Sequence, residues 1–342
     1  MALIFMDGVN HYSTPAQAAL KGYTGVNMNV VVGGGRFGAN AMQDSQGSGG
    51  GSATVTLMLP STCMTFFHGS AYKFLRGFIG FAPGSAIWFR SYTDVQQFCM
   101  GVNSSGNIVV YNSAGTLVGT GTAVLNSTTW AYIEVGCVCS ATVGTITVKV
   151  NGLTDISVTG VNTGTLGVRK IVSSGDYWKN GAYQRCDLYV CDGTGPAPTN
   201  TFLGDCVVET IYPTGAGAET QWTPSTGANW ENVDDATPDG DTTYNASNTV
   251  GQTDTYTMAD LTSASGLIYG VQKMEYARKD NAGTRSIAPV LRISGTDHVG
   301  VSTNLGGSYD YVREIEEVSP ASGVAFTIAE VNAMEVGVQV TA

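Results

Sequence analysis

The chain has 342 residues and a formal net charge of −11, and only 13% of its residues are charged, whereas about 25% is usual for a soluble domain. Its 16 Lys and Arg residues are spread along the sequence, so a clustered basic surface for phosphates is not expected and nucleic acid is excluded as a partner. The 45 glycines, together with abundant Ser and Thr for turns and solvent faces, are typical of an all-β protein.

The amino terminus carries no recognisable targeting signal. Residues 1–6 (MALIFM) lack a basic start, are too short for the apolar core of a signal peptide, and run directly into Asp7. No run of about 18 apolar residues follows, so no membrane insertion is expected. We therefore expect synthesis in a cytosol, where thiols stay reduced. Free thiols are predicted for all seven cysteines: Cys63, Cys99, Cys137, Cys139, Cys186, Cys191 and Cys206.

Short β-type segments follow one another from Ala53 onward, and residues 130–158 contain the clearest pair of strands. Apolar residues alternate along each strand, and the turn falls at Asn151-Gly152, because both residues tolerate positive φ. A strict two-residue loop would place Val148 opposite Asp155, which would not match the apolar faces. The sequence therefore predicts a β-bulge or a wider loop near Thr154.

Three features in order carry a first resemblance: Trp130, Ile133 and Glu134 on one strand, then the Val-x-Val-Asn-Gly hairpin, then the segment Asp187–Val190 (DLYV). Together they resemble a concanavalin A-like jelly roll of the laminin G type, over roughly the first 200 residues. The resemblance implies a β-sandwich domain that we place at residues 1–202.

Further antiparallel strands are predicted beyond residue 202, within 204–222, 249–258, 267–278 and 284–293. Pro289 is expected on an edge strand, because proline cannot donate to a strand ladder. The predicted architecture is therefore all-β, with a jelly-roll sandwich followed by a second, smaller antiparallel β-sandwich at residues 203–342.

The closing segment, residues 319–342, combines a turn, a capped helical turn and a strand. Thr327 and Glu330 have the spacing of a capping box, in which each side chain accepts a hydrogen bond from the other residue's amide. From Met334 onward apolar and polar residues alternate, so Val336 and Val338 are expected on the buried face of a final strand.

This closing segment, the amino-terminal Met6–Tyr12 (MDGVNHY) and the Gly35-Arg36-Phe37-Gly38 run resemble structural proteins of tailed-bacteriophage particles. Phe326 departs from the pattern, since we expect Trp in relatives, although it preserves an aromatic ring. The resemblance implies a virion component made in the host cytoplasm: a capsid decoration, fibre or tail appendage. It also implies assembly with other virion proteins, as a homo-oligomer, through protein–protein contacts.

No catalytic constellation is evident, and we expect no enzyme activity and no cofactor. The three histidines lie outside any Gly-x-Ser-x-Gly elbow. The Glu-x-Asp-x-x-Glu pattern of glucan-cleaving jelly rolls is missing, and the pairs formed by Glu314, Glu316 and Glu317 are expected on a solvent face. A polysaccharide depolymerase remains the third class of function, supported by fold analogy alone.

An acidic turn is the one candidate metal site: Asp234, Asp235, Asp239 and Asp241 could offer oxygen ligands to calcium. Their spacing does not fit a twelve-residue EF-hand loop, and we favour a solvated turn. Cys137 and Cys139 share one face of a strand, but no second ligand pair follows at zinc-site spacing, so no metal is predicted.

Five aromatic residues are candidates for stacking on a sugar ring or a partner: Tyr177, Trp178, Tyr183, Trp222 and Trp230. Core packing is the alternative explanation for each of them. A carbohydrate-binding module that recognises a host-surface glycan is therefore the competing hypothesis for the function.

Overall fold

The computed structural model describes residues 2–26, 28–44, 54–75, 87–174 and 183–342. The chain forms two compact units, Met1–Val208 and Glu209–Ala342. The sequence-based division between residues 202 and 203 falls close to this one. No helix in the described ranges is long and apolar enough to cross a membrane.

Unit 1 is almost entirely β-structure. Its described strands, in chain order, are β1 (Leu3–Asp7), β2 (Tyr23–Val26), β3 (Met28–Val31), β4 (Ala41–Asp44), β5 (Thr54–Cys63), β6 (Thr65–Phe74), β7 (Ile87–Arg90), β8 (Gln96–Val102), β9 (Asn107–Tyr111), β10 (Leu117–Val124), β11 (Trp130–Val138), β12 (Gly144–Val150), β13 (Leu153–Val161), β14 (Val168–Ser174) and β15 (Tyr183–Asp192). One short helix, α1 (Pro15–Leu20), begins at the N-cap Thr14, whose hydroxyl accepts from the Gln17 amide.

These strands form two antiparallel sheets that share one core. The first sheet has the order β13-β12-β11-β6-β15-β4-β3, with β1 also paired to β15, and the second has the order β10-β9-β8-β7-β14-β5-β2. Phe66 of the first sheet meets Phe89 of the second edge to face, with 5.3 Å between ring centroids. Phe89 in turn stacks on Phe98 at 4.2 Å. Unit 1 is therefore the predicted jelly-roll sandwich.

The predicted bulge is present in the β12–β13 hairpin. Asn151 and Gly152 have φ values of 49° and 81° and form the turn. Thr154 then pairs with Lys149, but the register shifts so that Ile156, and not Asp155, lies opposite Val148. The shift keeps the apolar side chains on the core face.

The bulged residue, Asp155, joins the two sheets at their common edge. Its Oδ1 accepts hydrogen bonds from the amides of Thr122 and Ala123 on β10, both at 2.8 Å. Gly121 leaves room for this carboxylate, since a Cβ there would lie 1.8 Å from Oδ2. The irregularity that the hydrophobic register requires therefore also supplies the acceptor that binds the edge of the second sheet.

Unit 2 has shorter strands and one helix. Its described strands are β16 (Pro213–Thr220), β17 (Thr223–Pro224), β18 (Asn245–Ala246), β19 (Thr253–Met258), β20 (Val271–Ala277), β21 (Ser286–Ile293), β22 (Thr296–Val299), β23 (Thr303–Asn304), β24 (Asp310–Glu316) and β25 (Glu335–Val340), and its helix is α2 (Ile328–Ala333).

The main sheet of unit 2 has the order β16-β19-β25-β21-β22, with β23 also paired to β21. The two-stranded ribbon of β20 and β24 packs on this sheet through a cluster that contains Ile287, Val312 and Val338. Unit 2 is therefore the smaller antiparallel β-sandwich. The last strand of the chain, β25, lies between β19 and β21, so the closing segment forms the middle of the sheet and not its edge.

Pro289 does not lie on an edge strand, which corrects the sequence-based expectation. It pairs with Val338 inside the sheet. The Pro289 carbonyl accepts from the Gly300 amide at 2.8 Å, one residue beyond the end of β22. In an antiparallel ladder the nitrogen and the carbonyl of a residue point the same way. The missing donor therefore faces the point where the neighbouring strand has ended.

The helix α2 is capped from one side only. The Thr327 hydroxyl accepts from the Glu330 amide at 3.1 Å, as predicted. The Glu330 carboxylate, however, accepts at 2.6 Å from the hydroxyl of Ser319, a buried residue at the start of the closing segment. The reciprocal half of the predicted capping box is therefore replaced by a bond that holds the preceding turn.

Substitution of Val338 by Asp should destabilise unit 2 strongly. The Val338 side chain is 8% exposed within the core cluster, so a carboxylate there would be buried without a partner. Such a charge costs on the order of 3 to 5 kcal/mol. Differential scanning calorimetry of the full chain should show a lowered unfolding transition for Val338→Asp and almost no shift for Val299→Asp, which changes an exposed valine of β22. Equal transitions for both variants would show that Val338 is not a core residue.

Candidate functional site

The most exposed of the large apolar side chains in the described ranges belongs to a loop at one end of β3, residues 32–40, which we name the Phe37 loop. Phe37 is 81% exposed. The loop is closed by hydrogen bonds from the Gly35 amide to the Ala39 carbonyl, at 2.7 Å, and from the Ala39 amide to the Arg36 carbonyl, at 3.0 Å. Gly35 has no space for a side chain, because a Cβ would lie 2.4 Å from the Asn40 carbonyl oxygen. The loop therefore has a fixed backbone.

Arg36 holds this loop against the rest of unit 1. Its Nε donates to Asp187 Oδ2 at 2.9 Å, its Nη1 to Asp205 Oδ1 at 2.6 Å and its Nη2 to the Cys206 carbonyl at 2.7 Å. Burial alone would lower the pKa of Arg36, but the hydrogen bonds to Asp205 and Asp187 and their charges raise it. The guanidinium is thus a permanent cation that joins three chain segments.

Asp187 is positioned by an irregularity in β15. Along one side, β15 pairs with β4 through residues 183–185 and then with β1 through residues 188–191. Asp187 lies at this exchange of partners with a φ of +53°. Its Oδ1 accepts from the Val208 amide at 3.0 Å. Asp187 is therefore a buried ion-pair partner of Arg36.

Phe37 itself has an unusual backbone conformation. Its φ is +54°, a region that costs an L-residue other than Gly, Asn or Asp about 1 to 3 kcal/mol. The Arg36 guanidinium carbon lies 5.1 Å from the centroid of the Phe37 ring and 5.2 Å from that of the Tyr132 ring. A cation in contact with both rings therefore helps to orient Phe37.

Polar side chains contact Arg36 and the backbone of the loop. The side chain of Asp205 is 48% exposed even though one of its oxygens binds Arg36. Asn40 accepts from the Gly33 amide through its side chain at 3.1 Å, and its own amide donates to Asn10 Oδ1 at 2.7 Å. The exposed ring of Phe37 and the half-exposed carboxylate of Asp205 are thus both in contact with the Arg36 guanidinium.

A separate buried charge network lies in the amino-terminal part of unit 1. Asp7 is completely buried and accepts from Lys21 Nζ at 3.1 Å. Its other oxygen accepts from the hydroxyls of Tyr12 and Tyr23, at 2.5 and 2.8 Å. Burial alone would raise the pKa of Asp7, but the charge of Lys21 and these hydrogen bonds outweigh it and hold the pKa far below its ordinary value.

A second network anchors residues 203–208 at the end of unit 1. The Tyr189 hydroxyl donates to Glu134 Oε1 at 2.6 Å and accepts from the Leu203 amide at 3.0 Å. Glu134 Oε1 also accepts from the Gly204 amide at 2.8 Å. Glu134, which carries part of the jelly-roll resemblance, therefore helps to position Asp205 beside Arg36.

The predicted aromatic residues do not form one site. Tyr183 is 2% exposed and packs against the rings of Tyr72 and Phe74, so the structure places this predicted binding residue in the core. Tyr177 and Trp178 lie outside the described residues. Trp222 packs partly against the core of unit 2 and donates its indole N–H to the Gln252 carbonyl at 3.2 Å.

Trp230 is half-buried in the short helical turn Asn229–Asn232. Its binding role stays a prediction. The neighbouring Asn229 donates to the Trp222 carbonyl at 2.9 Å, which brings the two segments together. Both segments are fixed by Asp254, a buried carboxylate that accepts from the Trp222 amide at 2.8 Å. The segments that carry Trp222 and Trp230 are thus held by the carboxylate of Asp254, a residue that the sequence analysis did not single out.

The acidic turn is divided between two arrangements. Asp235 and Asp239 both accept from the Thr243 hydroxyl, at 3.4 and 3.0 Å, while Asp241 accepts from Arg278 Nη2 and from the Tyr309 hydroxyl, both at 2.8 Å. Asp234 is exposed beside Asp235. In the described part of the chain no group of three or more His, Cys, Asp or Glu side chains has a metal-binding arrangement.

Glu314 and Glu316 do not form a free solvent face, contrary to expectation. Both bind the buried Lys273, with Nζ–O distances of 2.8 and 3.0 Å. On the same face of the ribbon, Glu275 has a solvent-shielded Oε2 that accepts no hydrogen bond from any described residue. Burial raises the pKa of Glu275 well above its ordinary value, with Lys273 opposing and Glu314 adding to the shift.

His68 lies in the core, with Nδ1 3.2 Å from the Tyr189 carbonyl and Nε2 3.1 Å from the Tyr72 hydroxyl, and burial lowers its pKa to about 3. It is therefore neutral at physiological pH. The described residues contain no disulfide bond, and six of the seven cysteines are buried.

Comparison with known proteins gives similarity to solved structures only. No family model matches the chain, and no curated protein matches it. Among solved structures, the cellulose-induced protein Cip1 is 11% identical, with a TM-score of 0.40, and the match covers 58% of this chain and 91% of that one. Lectin I from Ulex europaeus is also 11% identical, with a TM-score of 0.37 and coverage of 55% and 96%.

A carbohydrate esterase from the Shiga toxin-encoding bacteriophage phi24B is 10% identical, with a TM-score of 0.39, and the match covers 55% of this chain and 99% of that one. At these scores the matches carry no argument about this chain. The β-sandwich assignment therefore depends on the strand pairing, and the candidate site on its own geometry.

Replacing Asp7 by Asn should destabilise unit 1 more than replacing both members of the ion pair. Asp7→Asn leaves the buried Lys21 ammonium without its counter-charge, which costs about 3 to 5 kcal/mol, whereas Asp7→Asn with Lys21→Met removes both charges and should restore much of the loss. Urea unfolding of the full chain measures the difference. A double variant less stable than Asp7→Asn would show that the loss does not come from a Lys21 ammonium deprived of its counter-charge.

Glu275→Gln should stabilise the protein at neutral but not at acidic pH. Because the folded-state pKa of Glu275 is raised, its contribution to stability is fully present below the ordinary value of 4.5 and is lost as the pH rises toward the folded-state pKa. Glutamine stays neutral throughout. Melting temperatures should therefore coincide at pH 4 and separate at pH 8, while Asp280→Asn, in an exposed turn, should show no such divergence. A pH-independent difference would rule out ionisation of Glu275 as the cause.

Proposed function

We propose that this protein is a non-enzymatic structural component of a tailed-bacteriophage particle, which assembles with other virion proteins and with copies of itself. It would be made in the cytoplasm of the bacterial host and function in the virion, as a capsid decoration, a fibre or a tail appendage.

The observation that supports this proposal most strongly is where the residues of the phage-like motifs lie. Asp7 of the MDGVNHY segment organises a buried charge network, and Arg36 of the Gly-Arg-Phe-Gly run joins three segments. The closing segment forms the central strand β25. These motif residues thus serve architecture, as expected for a family whose shared property is a rigid building block.

The mechanism that follows is assembly by surface complementarity. A β-sandwich whose loops are fixed by internal bonds offers the same surface in every copy, so association orders few additional groups. Symmetric association of such copies is the usual route to closed oligomers. With so few surface charges, contacts would depend on shape and on hydrogen bonds more than on long-range attraction.

The test is the composition of the particle. Density-gradient-purified particles of the encoding phage should contain this chain at a fixed copy number by quantitative mass spectrometry. A reconstruction of the particle should show two β-sandwiches at symmetry-related positions. Detection of the chain only in the soluble fraction of infected cells, and not in the particles, would refute the proposal.

A second candidate function is recognition of a host-surface glycan. One observation favours it: Phe37 presents an aromatic ring to solvent, and the half-exposed carboxylate of Asp205 binds the Arg36 guanidinium that contacts this ring. Sugar-binding sites commonly need these two chemical groups, an aromatic face for the C–H groups of the ring and acceptors for its hydroxyls. Such a role is compatible with a place in the particle.

A further inference from the structure

We propose that the Phe37 loop is a binding subsite for a neutral sugar, in which the Phe37 ring stacks on the apolar face of the pyranose and the Asp205 carboxylate accepts its hydroxyl hydrogens. This inference rests on the second candidate function, glycan recognition.

The first observation is the strained and exposed position of Phe37. Gly33 and Gly38, which lie on either side of it, have φ values of +67° and +79°. Phe37 has the same left-handed backbone conformation, although it is not a glycine. Core packing does not account for the ring, because 81% of it is exposed. Strain kept at a surface position without a folding reason is characteristic of binding sites.

The second observation is that the position of the ring is fixed before a ligand binds. The Arg36 guanidinium lies 5.1 Å from the ring centroid and has hydrogen-bond partners on Nε, Nη1 and Nη2. One face of Phe37 is therefore occupied and the other is open. Because the ring does not have to be ordered on binding, a ligand meets a small entropy cost.

The third observation is the charge of the surroundings, which selects the class of sugar. One cation, Arg36, faces two carboxylates, Asp187 and Asp205, so the subsite has a net negative charge in a chain of net charge −11. A uronic acid, a sialic acid or a sulfated sugar would be repelled. Neutral hexoses and N-acetylhexosamines have the required hydroxyls and apolar face without this penalty.

The experiment is a glycan array printed with neutral hexose and N-acetylhexosamine oligosaccharides and with uronic and sulfated ones, probed with the full-length protein. Wild type should bind neutral sugars, with little dependence on salt. Phe37→Ala should lower the affinity at least about tenfold through loss of the stacking surface, and Asp205→Asn should also weaken it. Phe37→Tyr, which keeps the ring, should bind as wild type does.

Two controls separate binding from folding. Leu153→Ala removes an apolar side chain that is 76% exposed on another edge of unit 1 and should leave binding unchanged. Phe37→Gly should abolish binding without lowering the melting temperature, because glycine accepts the positive φ. A structural role for Phe37 would instead lower the melting temperature in Phe37→Gly and Phe37→Ala alike.

The outcomes distinguish the subsite from the function. Glycan binding that survives both Phe37→Ala and Asp205→Asn would overturn the subsite and leave glycan recognition standing. Absence of any binding by wild type would overturn glycan recognition and the subsite together. If Phe37→Ala instead abolished association with another virion protein while glycan binding persisted, the loop would be a protein contact and the proposal would be wrong.

Discussion

The ion pair between Arg36 and Asp187 determines the arrangement of one whole region of unit 1. Asp187 lies where β15 exchanges one neighbouring strand for another, and Arg36 reaches it from a loop about 150 positions earlier in the chain. The same guanidinium holds Asp205 and Cys206 and supports the ring of Phe37. Without the cation, two carboxylates would face each other at the sheet, and the loop would lose its attachment. The candidate binding surface therefore depends on a buried interaction whose first role is to join strands.

Much of the fold could be predicted from the sequence, because hydrophobic alternation reports directly which side chains face a core. The bulge in the β12–β13 hairpin is the clearest case, since only a shift at Asp155 makes the apolar faces match. The prediction for Pro289 is wrong because proline is disfavoured in a central strand only where its missing N–H group would have to bond to a neighbouring strand. At Pro289 that side of the backbone faces the end of β22. Glu330 was assigned the wrong partner, because a capping pattern does not show that a distant hydroxyl, that of Ser319, competes for the same carboxylate.

The candidate site was much less predictable. Composition suggested tyrosines and tryptophans as binding residues, but Tyr183 is buried against other rings, and aromatic residues are favoured in cores for the same reason that they are favoured in binding sites. Phe37 was visible only as part of the Gly-Arg-Phe-Gly run. Its exposure follows from a left-handed backbone and from a cation held by residues far away in sequence. A signal did exist, in the form of a bulky residue among glycines, but its meaning depended on partners that only the fold brings together.

Several of the few charges in this chain are buried in ion pairs. Lys21, Arg36 and Lys273, three of its 16 basic residues, are buried and paired with carboxylates. Burying such pairs contributes little net stability, since desolvation offsets the attraction, but it penalises any arrangement that separates them. Their contribution is therefore specificity of strand order and loop position more than stability. Because only 13% of the residues are charged, local groups such as Phe37 and Asp205 decide much of what the protein contacts. Assembly and glycan recognition thus make the same physical demand on this chain, a rigid surface whose few interacting groups are fixed before contact.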